Sequence, residues 1–170
     1  IKDKCDPKLF EKISEAVEFC AANKVRLFLD DHYELAIKAH AYGVHLGMED
    51  LRDADIEKIR KAGLRLGVST HGSYEMLKAY QLHPSYIALG HIFPTNSKVM
   101  PSKPQGCFKL SVEQDLIKDS VPTVAIGGIK LFNVKDVIAS NVGSVALITG
   151  STKADDPDET TKQWLALCGN

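Results

Sequence analysis

Three acidic residues stand where short apolar runs of the sequence end. Asp30 and Asp31 close one run, and Asp50 closes the turn that follows the next. At the carboxyl ends of parallel strands, such carboxylates are suitable ligands for Mg²⁺, which binds through one or two carboxylates together with substrate phosphates. Each Asp alone could instead cap a helix. Together the three predict a magnesium site.

Cationic and hydroxyl side chains follow the next two runs. Ser69 ends one of them, and Thr95, Ser97 and Lys98 lie in the loop after the other. Lys and hydroxyl groups donate hydrogen bonds to polyphosphates. A Pro-flanked segment of this kind can also be an ordinary exposed loop. The coincidence of these groups with the acids favours phosphate chemistry.

Glycine-rich segments follow the last two runs. Gly127-Gly128 ends one, and residues 149–151, Thr-Gly-Ser, end the other. The first could be only a tight turn. Both fit the phosphate-binding loops that barrels build after strands seven and eight, where backbone N–H groups and a helix N-terminus bind the anion.

Histidines and cysteines form no metal or disulfide pattern. We expect His45 and His91 to make local hydrogen bonds rather than to act as bases. Cys20 lies on the apolar stripe of a helical segment and is expected to be a small buried residue. The four cysteines are scattered without a CxxC pair, which disfavours structural zinc and disulfides and favours a reducing, cytoplasmic location.

The elements that position these groups alternate between strand and helix. Six apolar runs of about six residues end in polar residues or Gly, as expected of parallel strands buried on both faces. They cover residues 25–30, 42–47, 64–69, 86–91, 123–128 and 144–149. Their alternation with amphipathic segments predicts right-handed parallel crossovers.

Helix boundaries are indicated at several points. Amphipathic patterns cover residues 7–23 and Asp53–Ala62, and Gly63 is suited to end the second helix. Ser111 is suited to cap the helix before the fifth strand, and Pro157 to begin the last helix.

Two architectures accommodate six such strands. An open doubly wound sheet could use all six, whereas a (β/α)₈ TIM barrel needs two more. The sequence opens directly into a helix without a preceding strand. We therefore expect an α/β fold of the TIM-barrel type in one domain, residues 1–170, that lacks its first β/α unit and nearly all of its second strand.

Composition narrows the class of function. The 170 residues are 44% hydrophobic with a formal net charge of -1, values typical of a globular domain without a basic surface for nucleic acid or membranes. No apolar run is long enough to span a bilayer. Small-molecule substrates are the expected partners. An open barrel seam would also favour a homo-oligomer.

The strand-end residues, taken in order, resemble the thiamine-phosphate synthase family. The resemblance runs from Ile1 to about Thr152 and is specific as a set, although single pieces such as the Gly-Gly-Ile turn occur in many barrels. Its segments are Leu29–Asp31, Gly43–Asp50, Gly67–His71, Leu89–Thr95, Lys98, Pro104–Gly106 and Ala125–Ile129.

The resemblance implies a (β/α)₈ barrel that joins a pyrimidine diphosphate to a thiazole phosphate and releases pyrophosphate, with Mg²⁺ as cofactor. It implies that Asp31 and Asp50 bind the metal. Pyrophosphate contacts are expected from Lys2, Asp30, Ser69 and Lys98, of which Lys2, Ser69 and Lys98 are the expected catalytic residues. Thiazole-phosphate contacts are expected from Thr95, Ser97, Gly128, Ile148 and Thr149.

The sequence departs from the family pattern in places. Asp30 replaces the usual Asn and puts a like charge near the diphosphate, Met48 replaces a Gln, and Thr149 replaces a Ser. Of the family's Gln-x-Arg-x-Lys strand only the end, Ile1-Lys2, is present, so we expect incomplete activity from these residues alone.

The alternatives are a thiazole tautomerase relative and a fragment that binds without catalysis. Another phosphate-binding barrel, such as an epimerase or aldolase, is more distant.

Overall fold

A computed structural model describes residues 6–100 and 102–168. The chain divides into two compact units, one up to Val68 and one from Ser69 onward. The prediction of a single domain stays a prediction, and each unit is described by itself.

The first unit alternates helices with short parallel strands. Strand β1 pairs with β2 so that Phe28 lies opposite Gly43, and β2 pairs with β3 so that Gly43 lies opposite Arg65. Its elements are α1 (Leu9–Ala22), β1 (Phe28–Asp30), α2 (Tyr33–Lys38), β2 (Gly43–Leu46), a 3₁₀ turn (Asp50–Arg52), α3 (Ile56–Lys61) and β3 (Arg65–Thr70).

The second unit continues the same alternation. Strand β4 pairs in parallel with β5, and β5 pairs in parallel with β6. Its elements are α4 (Ser73–Tyr80), β4 (Tyr86–Leu89), α5 (Gly106–Ile117), β5 (Thr123–Ala125), α6 (Val134–Ile138), β6 (Ser144–Val145), α7 (Thr149–Thr152) and α8 (Pro157–Cys168).

The six predicted strands and the α/β class are confirmed. Within each unit the strands follow one another in sequence order. Strand β3 runs through the division, because its last residue, Thr70, belongs to the second unit and accepts a hydrogen bond from Gly90 N there. Each strand is shorter than its apolar run or the same length. Val44, Val68 and Ile87 are fully buried, as expected of strands covered on both faces.

Some predicted helix boundaries are confirmed and others move by a few residues. Asp55 caps α3, its side chain accepting a hydrogen bond from Lys58 N at 2.9 Å, so the helix begins later than Asp53. Gly63 follows α3 with a φ of 76° and ends it as predicted. Pro157 begins α8, as predicted.

Two predictions about helices are wrong. Ser111 caps nothing, because α5 already begins at Gly106 and the Ser111 hydroxyl donates back to Phe108 O at 2.8 Å inside the helix. Cys20 is half-buried rather than buried, since α1 turns Leu9 and Ile13 toward the core near its start. Across the described part of the chain, no helix has the length and apolar character needed to cross a membrane.

Candidate active site

The loops after β1 and β2 hold the predicted metal ligands in the first unit. Asp30 ends β1, and Asp31 follows with a left-handed φ of 64° that turns the chain sharply. The Asp31 amide donates to His45 O at 3.0 Å, which fixes this turn against β2. Asp50 begins the 3₁₀ turn, and its Oδ2 accepts from Gly47 N at 3.0 Å. Backbone contacts therefore set the positions of both acids.

Three acids influence the titration of His45. Burial lowers the pKa of His45, while the negative charges of Asp30, Asp31 and Asp50 act in the opposite direction. All three carboxylates are thus within electrostatic reach of one imidazole. Because burial prevails, the ring is neutral at neutral pH and does not itself offset the negative charge of the acids.

The predicted cluster can supply part of a metal site but not a whole one. Among the described residues, no three His, Cys, Asp or Glu side chains are arranged to hold a metal ion. A pair of carboxylates still suits Mg²⁺, since that ion keeps several waters and takes further oxygens from substrate phosphates. The donor chemistry of Asp31 and Asp50 fits an ion that arrives with a diphosphate.

In the second unit, hydrogen bonds to a backbone carbonyl and to one glutamate hold the end of β3 and the residue after it. Thr70 is fully buried, and its hydroxyl donates to Ala88 O at 3.1 Å. The His71 amide donates to Glu75 Oε2 at 2.7 Å, and His71 Nδ1 lies 3.2 Å from the same oxygen. Ser69, the predicted pyrophosphate contact, is half-buried at the end of β3. These bonds fix the backbone around Ser69.

The loop after β4 forms an open cavity of about 440 Å³ that is lined by residues between His91 and Pro104. Thr95 and Lys98, both predicted from the sequence, line it. Ser97 lies beside them, and its amide donates to Thr95 Oγ1 at 3.2 Å. The structure therefore brings these three residues together on the loop that the sequence indicates for phosphate chemistry.

The turn after β5 packs directly against this loop. Gly128 has a φ of 70°, and a Cβ placed on it would lie 2.5 Å from Pro94 O and 2.8 Å from Phe93 Cβ. Only a residue without a side chain permits this approach. Gly128 thus lies next to the start of the segment that carries Thr95.

The last predicted contacts lie at the end of β6. Thr149 begins α7, and its hydroxyl accepts a hydrogen bond from Lys130 Nζ at 2.8 Å. Ile148 precedes it with 64% of its surface exposed. Trp164 of α8 donates from its indole to Gly150 O at 3.2 Å and so holds the backbone here.

His91 differs from expectation. It is 4% exposed, yet its Nδ1 has no hydrogen-bond partner among the residues that the structure describes. Burial lowers the pKa of His91, and the nearby His71 lowers it further. Nδ1 therefore does not make the expected local hydrogen bond of this side chain, and the ring is neutral at neutral pH.

The sequence did not predict the roles of His45 and Lys130 in the candidate site, and the structure does not describe Lys2. The position of His45 among the acids follows from strand pairing, which the sequence does not specify. Lys130 stands directly after the Gly-Gly-Ile turn, which was a usable signal. Lys2, a predicted catalytic residue, lies outside the described residues.

Comparisons with known proteins identify the family of this chain. The family model described as thiamine monophosphate synthase matches residues 1–150. The chain is 51% identical to a thiamine-phosphate synthase of Proteus mirabilis, and 52% identical to one of Photorhabdus laumondii. Each match covers 98% of this chain and 77% of the relative.

A solved structure extends the agreement to the fold. Thiamine phosphate pyrophosphorylase from Pyrococcus furiosus matches with a TM-score of 0.83 at 26% identity, over 99% of this chain and 80% of that one. By sequence and by fold, the chain belongs to the thiamine monophosphate synthase family.

Proposed function

We propose that this chain is a transferase that forms thiamine phosphate. It joins 4-amino-2-methyl-5-hydroxymethylpyrimidine diphosphate to thiazole phosphate and releases pyrophosphate. Family membership supports the reaction. The observation that carries it is the pair Asp31 and Asp50, which backbone hydrogen bonds hold in the loops after the paired strands β1 and β2 and which suits a metal-bound diphosphate.

Asp31 and Asp50 are the proposed metal ligands. Enzymes of this family use a metal ion, and oxygen donors favour Mg²⁺. Because Asp50 Oδ2 accepts the Gly47 amide, its other oxygen is the one left to face a cation. When bound, the ion neutralises charge that develops on the departing pyrophosphate.

Ser69 and Lys98 are proposed to bind the pyrophosphate as it leaves, together with Lys2. The pyrimidine ring, through its 4-amino group, stabilises the methyl cation that remains, so departure of the diphosphate can lead. The protein then needs to place positive charge and hydroxyl donors on the leaving group rather than to supply a strong base. This fits an edge rich in Lys and hydroxyl groups, with His45 and His91 both neutral.

Thr95, Ser97, Gly128, Ile148 and Thr149 are proposed to hold thiazole phosphate. The close approach of the Gly128 turn to Pro94 O, directly before Thr95, supports a common site for these residues. Orientation of the thiazole nitrogen toward the pyrimidine methylene is the main contribution required of these groups. The loop that carries Thr95 and Lys98 is suited to exclude water, which would otherwise capture the cation.

The test is a product measurement with the purified chain. Incubation with both substrates and Mg²⁺ is expected to yield thiamine phosphate and pyrophosphate in equal amounts, and omission of either substrate or of Mg²⁺ is expected to abolish both. Conversion of thiazole phosphate alone into an isomer would indicate a tautomerase instead. Calorimetric binding of thiazole phosphate without any product would indicate a chain that binds but does not catalyse.

A further inference from the structure

The side chain of Lys130 reaches across the proposed thiazole-phosphate site. Lys130 follows the Gly-Gly-Ile turn after β5, yet its Nζ lies 2.8 Å from the hydroxyl of Thr149 at the end of β6. Gly128 and Thr149 are both proposed contacts of the thiazole phosphate. The ammonium group therefore lies between two segments that are expected to receive an anion.

The backbone of Lys130 is fixed by a buried side chain. Asn133, 9% exposed, accepts from Lys130 N at 2.8 Å through Oδ1 and donates to Gly128 O at 3.2 Å through Nδ2. These two bonds hold the turn and the base of the lysine in one arrangement. A side chain with a fixed base loses less conformational entropy when its end becomes ordered by a ligand.

The charge of Lys130 has no acidic partner among residues 6–100 and 102–168. Lys12, Lys58 and Lys118 each lie within 3.0 Å of a carboxylate, whereas the bond from Lys130 goes to a neutral hydroxyl. Lys130 is half-buried. An ammonium group has three N–H donors, so after Thr149 takes one, two remain for an anion at the same place.

We propose that Lys130 binds the phosphate group of the thiazole substrate and makes the site select the phosphorylated thiazole over its free alcohol. This inference rests on the proposed function. It adds a side-chain cation to a site otherwise built from backbone amides and hydroxyls, and a charge-assisted hydrogen bond is stronger than the neutral ones there.

The test compares two ligands and three variants by calorimetric titration of the full chain. The ligands are thiazole phosphate and the unphosphorylated thiazole alcohol, and the variants are Lys130→Met, Lys130→Arg and Lys135→Met. Lys135 is an exposed lysine on the neighbouring helix α6, so its variant removes the same charge away from the site.

Lys130→Met is expected to bind thiazole phosphate about 10- to 100-fold more weakly, the size of one lost hydrogen bond to a charged group. Its affinity for the alcohol should not change. Lys130→Arg should retain most of the preference for phosphate, and Lys135→Met should bind as the unchanged chain does.

Three results would overturn the inference. If Lys130→Met weakens both ligands equally, the lysine only supports Thr149 structurally. If it weakens neither, the lysine does not contact the phosphate, while the proposed function stands as long as the unchanged chain prefers thiazole phosphate. An unchanged chain without that preference would refute both the site and the role of Lys130.

Discussion

Replacement of Gly128 by alanine separates backbone strain from the close contact that positions the thiazole site. The φ of 70° costs an alanine about 1–2 kcal/mol, offset by about 0.4–1 kcal/mol because alanine has less freedom in the unfolded chain. The new Cβ would also lie 2.5 Å from Pro94 O. Overpacking of this kind typically costs about 1–3 kcal/mol more. We therefore expect the free energy of unfolding to fall by about 2–4 kcal/mol in total.

Gly63→Ala is the matched control. Gly63 has a similar φ of 76°, but a Cβ placed there meets nothing within 4 Å. The free energy of unfolding of Gly63→Ala should therefore fall by only about 1 kcal/mol, the cost of the backbone conformation alone. Urea unfolding followed by circular dichroism measures both changes.

The two variants should also differ in activity. Because the alanine at 128 displaces the loop that carries Thr95, its KM for thiazole phosphate should rise, while Gly63→Ala should keep the original value. Equal losses of stability in the two variants, or an unchanged KM in Gly128→Ala, would refute the claim that this contact positions the loop.

Three further predictions concern charge and capping. Burial raises the pKa of Glu113, so the folded chain holds the carboxyl proton more tightly than the unfolded chain does. The free energy of unfolding should therefore fall as pH rises from a glutamate's ordinary pKa to the raised one. Urea titrations of Glu113→Gln should lack this pH dependence. Asp50→Asn removes a charge that raises the pKa of His45, and NMR titration should show that pKa lowered further; an unchanged value would place Asp50 elsewhere. Asp55→Ala should cost about 1 kcal/mol in urea unfolding because a helix cap is lost, whereas Ser111→Ala, inside a helix, should cost clearly less.

Much of the fold was accessible from sequence because its signals are local. Short apolar runs, Gly63 and Pro157 indicate strands and helix ends through steric rules that act over a few residues. The prediction that Ser111 caps a helix was wrong because it relied on a local signal alone. A serine has the chemistry of a cap, but the packing of the segment around it decides where the helix begins.

The candidate site also combines features that have local sequence signals with features that depend on tertiary structure. Its acids, hydroxyls and lysine were proposed from the sequence because each follows the end of an apolar run, a signal that is local. The closeness of three carboxylates to His45 depends on the register between β1 and β2. The Lys130–Thr149 bond joins residues from neighbouring strand ends, and no local pattern encodes it.

The central claim is that Asp31 and Asp50 bind a diphosphate through Mg²⁺. Calorimetric titration with pyrophosphate tests it directly and does not depend on turnover. Binding should require Mg²⁺ and should be lost in Asp31→Asn and Asp50→Asn. Asp53→Asn, which removes the same charge from an exposed residue just after the 3₁₀ turn, should bind as the unchanged chain does. Pyrophosphate binding that is independent of Mg²⁺, or that survives in both Asp31→Asn and Asp50→Asn, would contradict the account.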